Sequence, residues 1–333
     1  MLSMRQRDTK MKVKWIILAV ILFIPVSSAE INIVVSLPDF ELIAREIGGD
    51  EVNISVILPS GTDPHAFSIT KETVDKIKNA DLVILANSAL LSYERNIKEN
   101  YEKNYLDFED YEKNGAELLD FGDYKENPHG YWLYVNNSIA IARTIAYKLA
   151  EIEPEKAEYF ISSLNNFESR LFEAEKIVMK KAKENDIYGK KVVAAVPGVC
   201  YIAKNVGMEA DKILFSEGAG MISMEEMEEI KNGLKSKEYA AIIVPEIFRN
   251  AKVGDVARQI AMDSNSSVIY VKFAEGGESY INLFYYNAIA IISTGNQRIN
   301  QEKYNLWLIY LSISLALLAA FEAFLLYKYR EIK

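Results

Sequence analysis

The middle of the chain carries a long amphipathic segment that restricts the folds open to it. No strong helix breaker occurs between Pro154 and about Asn185, and apolar residues recur there at spacings of four and three. They are Phe160, Leu164, Phe167, Leu171, Ala174 and Val178. A helix of this length measures about 45 Å, which is long enough to run along two folded units, one formed by the chain before it and one by the chain after it. We therefore expect one long connecting helix over 153–187, because the competing coiled coil has barely three heptads to support it.

Short β-branched runs alternate with amphipathic stretches on both sides of this segment. Before it, strands are predicted at Ile31 to Val35, Val52 to Leu58 and Asp81 to Ala86, and helices at Phe40 to Glu46 and Lys71 to Asn79. After it, strands are predicted at Val192 to Val196, Ala240 to Val244 and Val268 to Val271, and helices near Ser223 to Leu234, Gly254 to Met262 and Ser279 to Ile292. The predicted fold is two α/β lobes with mainly parallel sheets, at 30–152 and 188–299, each with its own core. The segment from Asn87 to Tyr124 gives no clear pattern.

Both ends of the chain resemble targeting segments. Basic residues precede an apolar run from Trp15 to Val26 that closes on Ser27-Ser28-Ala29, which predicts a signal peptide over 1–29. Near the other end, 304–327 is predicted to be a transmembrane anchor, because Leu306 to Tyr327 is apolar enough and, at about 33 Å as a helix, long enough to span a bilayer. The alternative for this segment is a buried C-terminal helix.

The residues after the anchor set its expected orientation. Lys328, Arg330 and Lys333 form a basic tail over 328–333, which the positive-inside rule places in the cytoplasm. These features predict a single-pass protein of the cell membrane, with most of the chain outside the cytoplasm. The chain has one cysteine and therefore no internal disulfide, and its net charge of −9 argues against a nucleic-acid partner.

The chain contains only two histidines, and each follows a proline in a short loop. His65 lies in Ser-Gly-Thr-Asp-Pro-His-Ala, just after a predicted strand, and His129 lies in Asn-Pro-His-Gly-Tyr-Trp. Ligands of open α/β sheets bind at the carboxyl ends of strands, and neutral imidazole is a common ligand of transition metals. We expect Asp63, two residues before His65, to accept the free N–H of its imidazole or to bind the metal directly. The alternative for each histidine is an ordinary turn residue bonded to backbone.

These loops also carry a resemblance to a known family. The stretches Val56-Ile-Leu-Pro-Ser-Gly-Thr-Asp-Pro-His65 and Pro128-His-Gly-Tyr-Trp-Leu133 resemble the two histidine loops of the metal-binding receptors of zinc and manganese ABC importers, and further similar stretches follow as far as Ile292. The resemblance implies two α/β lobes joined by one long helix, with the metal bound between them. It also implies an ABC permease as the partner and no enzymatic activity.

The sequence departs from that family at two of its four ligand positions. The resemblance places the third histidine at Val196 and the acidic fourth ligand near Lys272 and Phe273. The remaining ligands would have to come from Glu275, Glu246, Cys200, Asp63 or water, with Glu275 preferred to Cys200. Cysteine suits zinc, but a single cysteine beside an apolar run is more often a buried small hydrophobe.

Three functions are compatible with these features. The leading one is a receptor that captures divalent zinc, manganese or iron through His65 and His129 and delivers it to an ABC permease. The second is a degenerate relative without a complete metal site, which binds a metal chelate or acts as a tethered interaction module. A metal-dependent hydrolase ranks last, because the chain has no Gly-x-Ser-x-Gly or His-Glu-x-x-His motif.

Overall fold

The computed structural model describes residues 30–216 and 220–293. The first lobe contains a four-stranded parallel sheet in the order β2-β1-β3-β4. Its strands are β1 (Ile31–Val35), β2 (Val52–Val56), β3 (Leu82–Ile84) and β4 (Tyr105–Leu106). Its helices are α1 (Pro38–Gly48), α2 (Lys71–Asn79), α3 (Ser92–Asn100), α4 (Phe108–Lys113) and α5 (Val135–Ile152). All three strand pairs are parallel, so the loops that follow the strands lie at one edge of the sheet.

The second lobe has a similar parallel sheet in the order β10-β9-β5-β6, and a two-stranded antiparallel ribbon, β7-β8, lies outside it. Its strands are β5 (Lys191–Ala194), β6 (Glu209–Ile213), β7 (Phe215–Ser216), β8 (Gly220–Met221), β9 (Tyr239–Pro245) and β10 (Val268–Val271). Its helices are α7 (Val199–Asn205), α8 (Met224–Lys235), α9 (Lys252–Asp263) and α10, which is described over 280–293. The prediction of two α/β lobes with parallel sheets is confirmed.

One helix of 28 residues, α6 (Ala157–Glu184), connects the lobes. It begins after a 3₁₀ turn at Pro154–Lys156, where the fixed φ of proline suits a helix start. All six residues of the predicted apolar stripe are buried, which accounts for its period of three and four. Arg170 pairs with Glu46 of α1, and the Nε atom of Arg143 on α5 lies 2.6 Å from the carboxylate of Glu168. The helix is thereby attached to the first lobe by packing and by ion pairs.

The two lobes share one hydrophobic core, which differs from the expectation of a separate core in each. A single cluster of buried side chains runs from the first sheet through α5 and α6 to one face of the second sheet and α10. Phe167 of α6 meets Tyr280 of α10 edge-on, with ring centroids 5.8 Å apart. A smaller cluster, which includes Ile230, Ile242 and Ile260, fills the other face of the second sheet. Helix α6 is therefore part of the core rather than a spacer.

The unassigned segment 87–124 contains α3, β4 and α4. Helix α3 is difficult to recognise from the sequence because Glu94 is buried at a position where a core-facing helix ordinarily carries an apolar residue. Its Oε1 and Oε2 atoms accept the main-chain N–H groups of Ala86 (2.9 Å) and Asn87 (2.7 Å). The Glu94 carboxylate therefore satisfies two buried main-chain N–H donors in the loop after β3. No local sequence pattern indicates this role.

The predicted signal peptide (1–29), anchor (304–327) and tail (328–333) lie outside the described residues. Within 30–216 and 220–293, no helix combines the length and the apolar character needed to cross a membrane.

Candidate metal centre

A cavity of about 330 Å³ lies between the lobes. Loops that follow strands in both sheets line it, together with the loop before α5 and strand β7. Its walls include His65, His129, Asp39, Asp63, Glu275, Val196 and Phe273. Both sheets thus direct the carboxyl ends of their strands toward one space, which is where open α/β sheets bind ligands.

The two histidines meet in this cavity. Their ring centroids are 5.6 Å apart, and the ring planes are inclined by 49°. Zinc–nitrogen bonds are about 2.0–2.1 Å long, so two imidazoles that share an ion have ring centres at most about 6.4 Å apart. The observed separation satisfies this limit. The loops that carry them are far apart in sequence, and only the fold brings the rings together.

The His65 loop is shaped by the aspartate that precedes it. The Oδ1 atom of Asp63 accepts the main-chain N–H of His65 at 2.9 Å, which is an Asx turn. Both residues are exposed at the cavity. Asp63 therefore orders the turn through the main-chain N–H of His65, and its carboxylate lines the same cavity as the imidazole.

The His129 ring is oriented through its Nδ1 atom. This atom lies 3.2 Å from the hydroxyl of Tyr124 and 3.3 Å from Oδ1 of Asn127, which also accepts the main-chain N–H of His129 at 3.0 Å. When Nδ1–H donates to Asn127, the ring carries its lone pair on Nε2, as a metal ligand requires. Sequence reasoning missed Tyr124 and Asn127, although Asn-Pro-His is itself a turn signal.

Asn127 also ties this loop to the second lobe. It is fully buried; its Nδ2 donates to the carbonyl of Pro197 at 2.9 Å, and its own carbonyl accepts the hydroxyl of Tyr201 at 2.7 Å. At Gly130, with φ of 70°, an added Cβ would lie 2.6 Å from the carbonyl oxygen of Gly198. Only glycine allows the histidine loop to approach the second lobe so closely.

An acid that sequence reasoning did not single out crosses between the lobes. Asp39 lies in the first turn of α1, and its Oδ1 accepts the main-chain N–H of Ala274 in the loop after β10, at 3.1 Å. Burial raises the pKa of Asp39 to about 6, although the hydrogen bond from Ala274 opposes the rise. Asp39 and Ala274 are 235 positions apart, so no local pattern could have revealed the contact.

The two predicted glutamate ligands lie in different surroundings. Glu275 is exposed and lines the cavity, with its carboxylate 3.9 Å from Nζ of Lys272. Glu246 is not among the residues that line the cavity with the histidines, although its neighbours Ile247 and Phe248 are. Its carboxylate lies 3.7 Å from Lys272 and 3.2 Å from Arg249, and it accepts the hydroxyl of Tyr286 at 3.1 Å. Glu275 thus shares the cavity lining with the histidines, whereas Glu246 lies in a cluster with Lys272, Arg249 and Tyr286.

Cys200 lies in the shared core, on α7. It is fully buried, does not line the cavity, and burial raises the pKa of its thiol to about 12. A metal requires the thiolate, which this environment disfavours strongly. The structure therefore separates Cys200 from the histidines. Val196, where the sequence resemblance places the family's third histidine, is half-buried and lines the cavity.

The potential metal ligands that line the cavity are two imidazoles and the carboxylates of Asp39, Asp63 and Glu275. Among the described residues, no group of three or more His, Cys, Asp or Glu side chains is arranged to hold a metal ion. Two imidazoles supply half of a tetrahedral sphere, and the other donors must come from a neighbouring acid that moves, from water or from the bound species itself.

Comparisons with known proteins agree with this architecture. The family model for the periplasmic component A of the zinc-uptake complex, ZnuA, matches residues 33–294. Among similar proteins is a metal ABC transporter substrate-binding lipoprotein of Streptococcus cristatus, 25% identical over 284 residues, which cover 78% of this chain and 87% of that protein. Another is a manganese ABC transporter substrate-binding lipoprotein of Streptococcus mitis, 25% identical over 269 residues, 74% of this chain and 82% of that protein.

Solved structures share the fold. The cadmium-bound periplasmic metal-binding protein of Candidatus Liberibacter asiaticus superposes with a TM-score of 0.66 at 19% identity, over 80% of this chain and 100% of that chain. The laminin-binding protein Lmb of Streptococcus agalactiae, described as bifunctional with adhesin and metal-transporting activity, gives 0.67 at 18% identity, over 80% and 99%. The family-model match spans most of the chain, which therefore belongs to the ZnuA family of periplasmic zinc-uptake components.

Proposed function

We propose that this protein is an extracytoplasmic receptor that captures a divalent transition-metal ion between its lobes, with His65 and His129 as its nitrogen ligands. The observation that carries the proposal is the meeting of the chain's only two histidines, 5.6 Å apart, in one cavity between the sheets. A chance pair of turn histidines has no reason to converge from separate loops.

Zinc, manganese and iron(II) all fit a site of this kind, because each accepts imidazole together with oxygen donors. Asp63 and Glu275 are the acids we assign to it, since both line the cavity with the histidines. Glu246 and Cys200 are left out of the proposed set. The first is engaged by Arg249 and Lys272, and the second is a buried thiol.

The partner we propose is an ABC permease that receives the ion. The relatives from Streptococcus are named ABC transporter substrate-binding proteins, which supports a receptor role. The lobes over 30–152 and 188–299, joined by 153–187, would form the receptor unit. We assign it no reaction chemistry, since capture and release require none.

We further propose that a C-terminal anchor replaces the lipid of those relatives, which are named lipoproteins. The only cysteine in this sequence, Cys200, lies in the core that the two lobes share and not after the predicted signal peptide. An apolar segment at 304–327 with basic residues after it would hold the receptor at the outer face of the membrane.

Isothermal titration of the purified full-length protein with zinc, manganese and iron(II) tests the metal-receptor proposal. We expect one ion per chain and a loss of affinity of at least about 100-fold in His65→Ala, because one of only two imidazoles is removed. Ser60→Ala, in the same loop but outside the cavity lining, should bind as tightly as the original chain. Equal binding by His65→Ala and Ser60→Ala would contradict the proposal.

One observation favours a second function. The absence of a three-ligand group among the described residues, with Val196 in the cavity wall, would suit a relative that keeps the fold without binding free metal. Such a protein would bind a chelate or act as a tethered interaction module. Failure of the original chain to bind any of the three ions would favour it.

A further inference from the structure

Apolar side chains form most of the wall around the two histidines. Those from the first lobe are Leu37, Leu58, Leu90, Leu91 and Trp132, and those from the second are Val196, Phe215, Ile247, Phe248 and Phe273. Four of the ten are aromatic. Such a wall is poorly suited to a small hydrated ion, because the water bound to the ion has few hydrogen-bond partners there.

The cavity is also large for a bare ion. A cavity of about 150 Å³ accommodates one benzene ring, and the cavity between the lobes, at about 330 Å³, has room for two such rings. The size and the apolar wall together match the pockets that bind small organic molecules, which are mainly apolar with a few well-placed polar groups.

The ligand count leads to the same conclusion. Two imidazoles leave two positions of a tetrahedral ion unfilled, and the described residues offer no third side chain already in place. Val196 and Phe273 line the wall, and neither can ligate. Donor atoms that arrive with the ion would complete the sphere without any movement of the lobes.

We propose that the species captured is a metal ion already held by a planar aromatic chelator with two donor atoms. His65 and His129 complete the coordination, and the rings of the chelator pack against the aromatic side chains of the wall. Asp39, Asp63 and Glu275 surround the cavity and offset the positive charge of the complex. This inference rests on the proposed metal-receptor function and specifies its substrate class.

Equilibrium dialysis of the purified full-length protein against three probes tests the inference. The probes are zinc alone, zinc with one equivalent of 2,2′-bipyridine, and zinc with ethylenediamine at a concentration that gives the same fraction of one-to-one complex. Ethylenediamine also offers two nitrogen donors but has no aromatic body. We expect zinc to bind about tenfold more tightly with bipyridine than alone, with one bipyridine retained per zinc, and no such gain with ethylenediamine.

Two phenylalanine variants locate the effect. Phe248→Ala removes a half-buried ring from the wall and should abolish most of the gain from bipyridine. Phe172→Ala removes an exposed ring from α6, outside the cavity lining, and should leave the gain unchanged. A gain that survives Phe248→Ala as fully as Phe172→Ala would overturn the role of the wall.

The outcomes separate this inference from the function on which it rests. If zinc alone binds as tightly as the bipyridine complex, or if bipyridine strips zinc from the protein, the chelate inference is overturned and the metal receptor stands. If the protein retains zinc in none of the three forms, the metal-receptor proposal itself fails. Loss of all binding in His65→Ala, with the bipyridine gain present in the original chain, supports both.

Discussion

The orientation of His129 depends in part on a buried amide, that of Asn127, which shares the Nδ1 atom of His129 with the hydroxyl of Tyr124. Asn127 contacts the Nδ1 atom and the main-chain N–H of His129 through its oxygen, and it reaches Pro197 of the second lobe through its nitrogen. Side chains of this kind fix the tautomer of a ligating histidine and typically change metal affinity by 10- to 100-fold when removed. The proposed site therefore extends beyond the two imidazole rings.

We predict that Asn127→Ala lowers zinc affinity by about 10- to 100-fold, because the Nδ1 atom of His129 loses its buried amide acceptor and keeps only the hydroxyl of Tyr124. Asn127→Asp keeps an oxygen beside His129 but replaces the donor to Pro197 with a second carboxyl oxygen. Because the acceptor for Nδ1–H survives, it should retain more of the metal affinity than the alanine variant. Titration calorimetry measures both, with Asn136→Ala, an exposed asparagine on α5, as the control. Equal losses in the alanine and aspartate variants would argue for a purely structural role.

At the residue scale, the sequence alone predicts some of the residues of the proposed site and misses others. His65 and His129 stood out because histidine is so rare here, and Asp63 and Glu275 because they adjoin motif positions. Asp39 and Asn127 did not, because their partners Ala274 and Pro197 are distant in sequence. Cys200 and Glu246 are placed by their packing and ion pairs, which residue type does not encode.

At the scale of secondary-structure elements, the loop after β3 depends on Glu94 of α3. This carboxyl group is fully buried, and burial raises its pKa from 4.5 to about 7, although hydrogen bonds from Ser36, Ala86 and Asn87 oppose the rise. Between about pH 4.5 and pH 7 the folded protein therefore binds a proton that the unfolded chain has released. The free energy of unfolding should fall as the pH rises through this window and then level off.

We predict that this contribution, on the order of 3 kcal/mol, disappears in Glu94→Gln, which carries no titrating proton. Urea unfolding of the original chain and the variant at about pH 5 and pH 8 measures it as the difference between the two pH responses. Glu99→Gln, an exposed position on the same helix, should keep the original response. A Glu94→Gln variant with that same response would contradict the assignment.

Elements with a strong local signal were predicted well, and those stabilised by distant contacts were not. The predicted bounds of β1 and α2 are confirmed to the residue. The first is a run rich in β-branched residues, and the second is capped by the Thr70 side chain. Strand β4 has two residues, too few to show a period, and α5 was not assigned although most of its inner face is buried. The shared core could not be inferred either, because each sheet alone has the pattern of an independent α/β unit.

At the scale of the whole molecule, the shared core joins the two lobes on either side of the cavity. Helices α5, α6 and α10 join the lobes at their rear, and the strand ends of both sheets face each other across the histidines. Asp39 and Asn127 bridge the lobes beside the cavity. An ion or complex bound there would contact both lobes. A receptor needs this arrangement if its partner is to distinguish the bound state from the free state.

The most direct test of the account is X-ray absorption spectroscopy of the zinc-loaded full-length protein at the zinc edge. We predict two imidazole nitrogens per zinc at about 2.0–2.1 Å, no sulfur ligand, and one imidazole in His65→Ala. A first shell without imidazole, or one that contains the sulfur of Cys200, would contradict the claim that His65 and His129 capture the ion between the lobes.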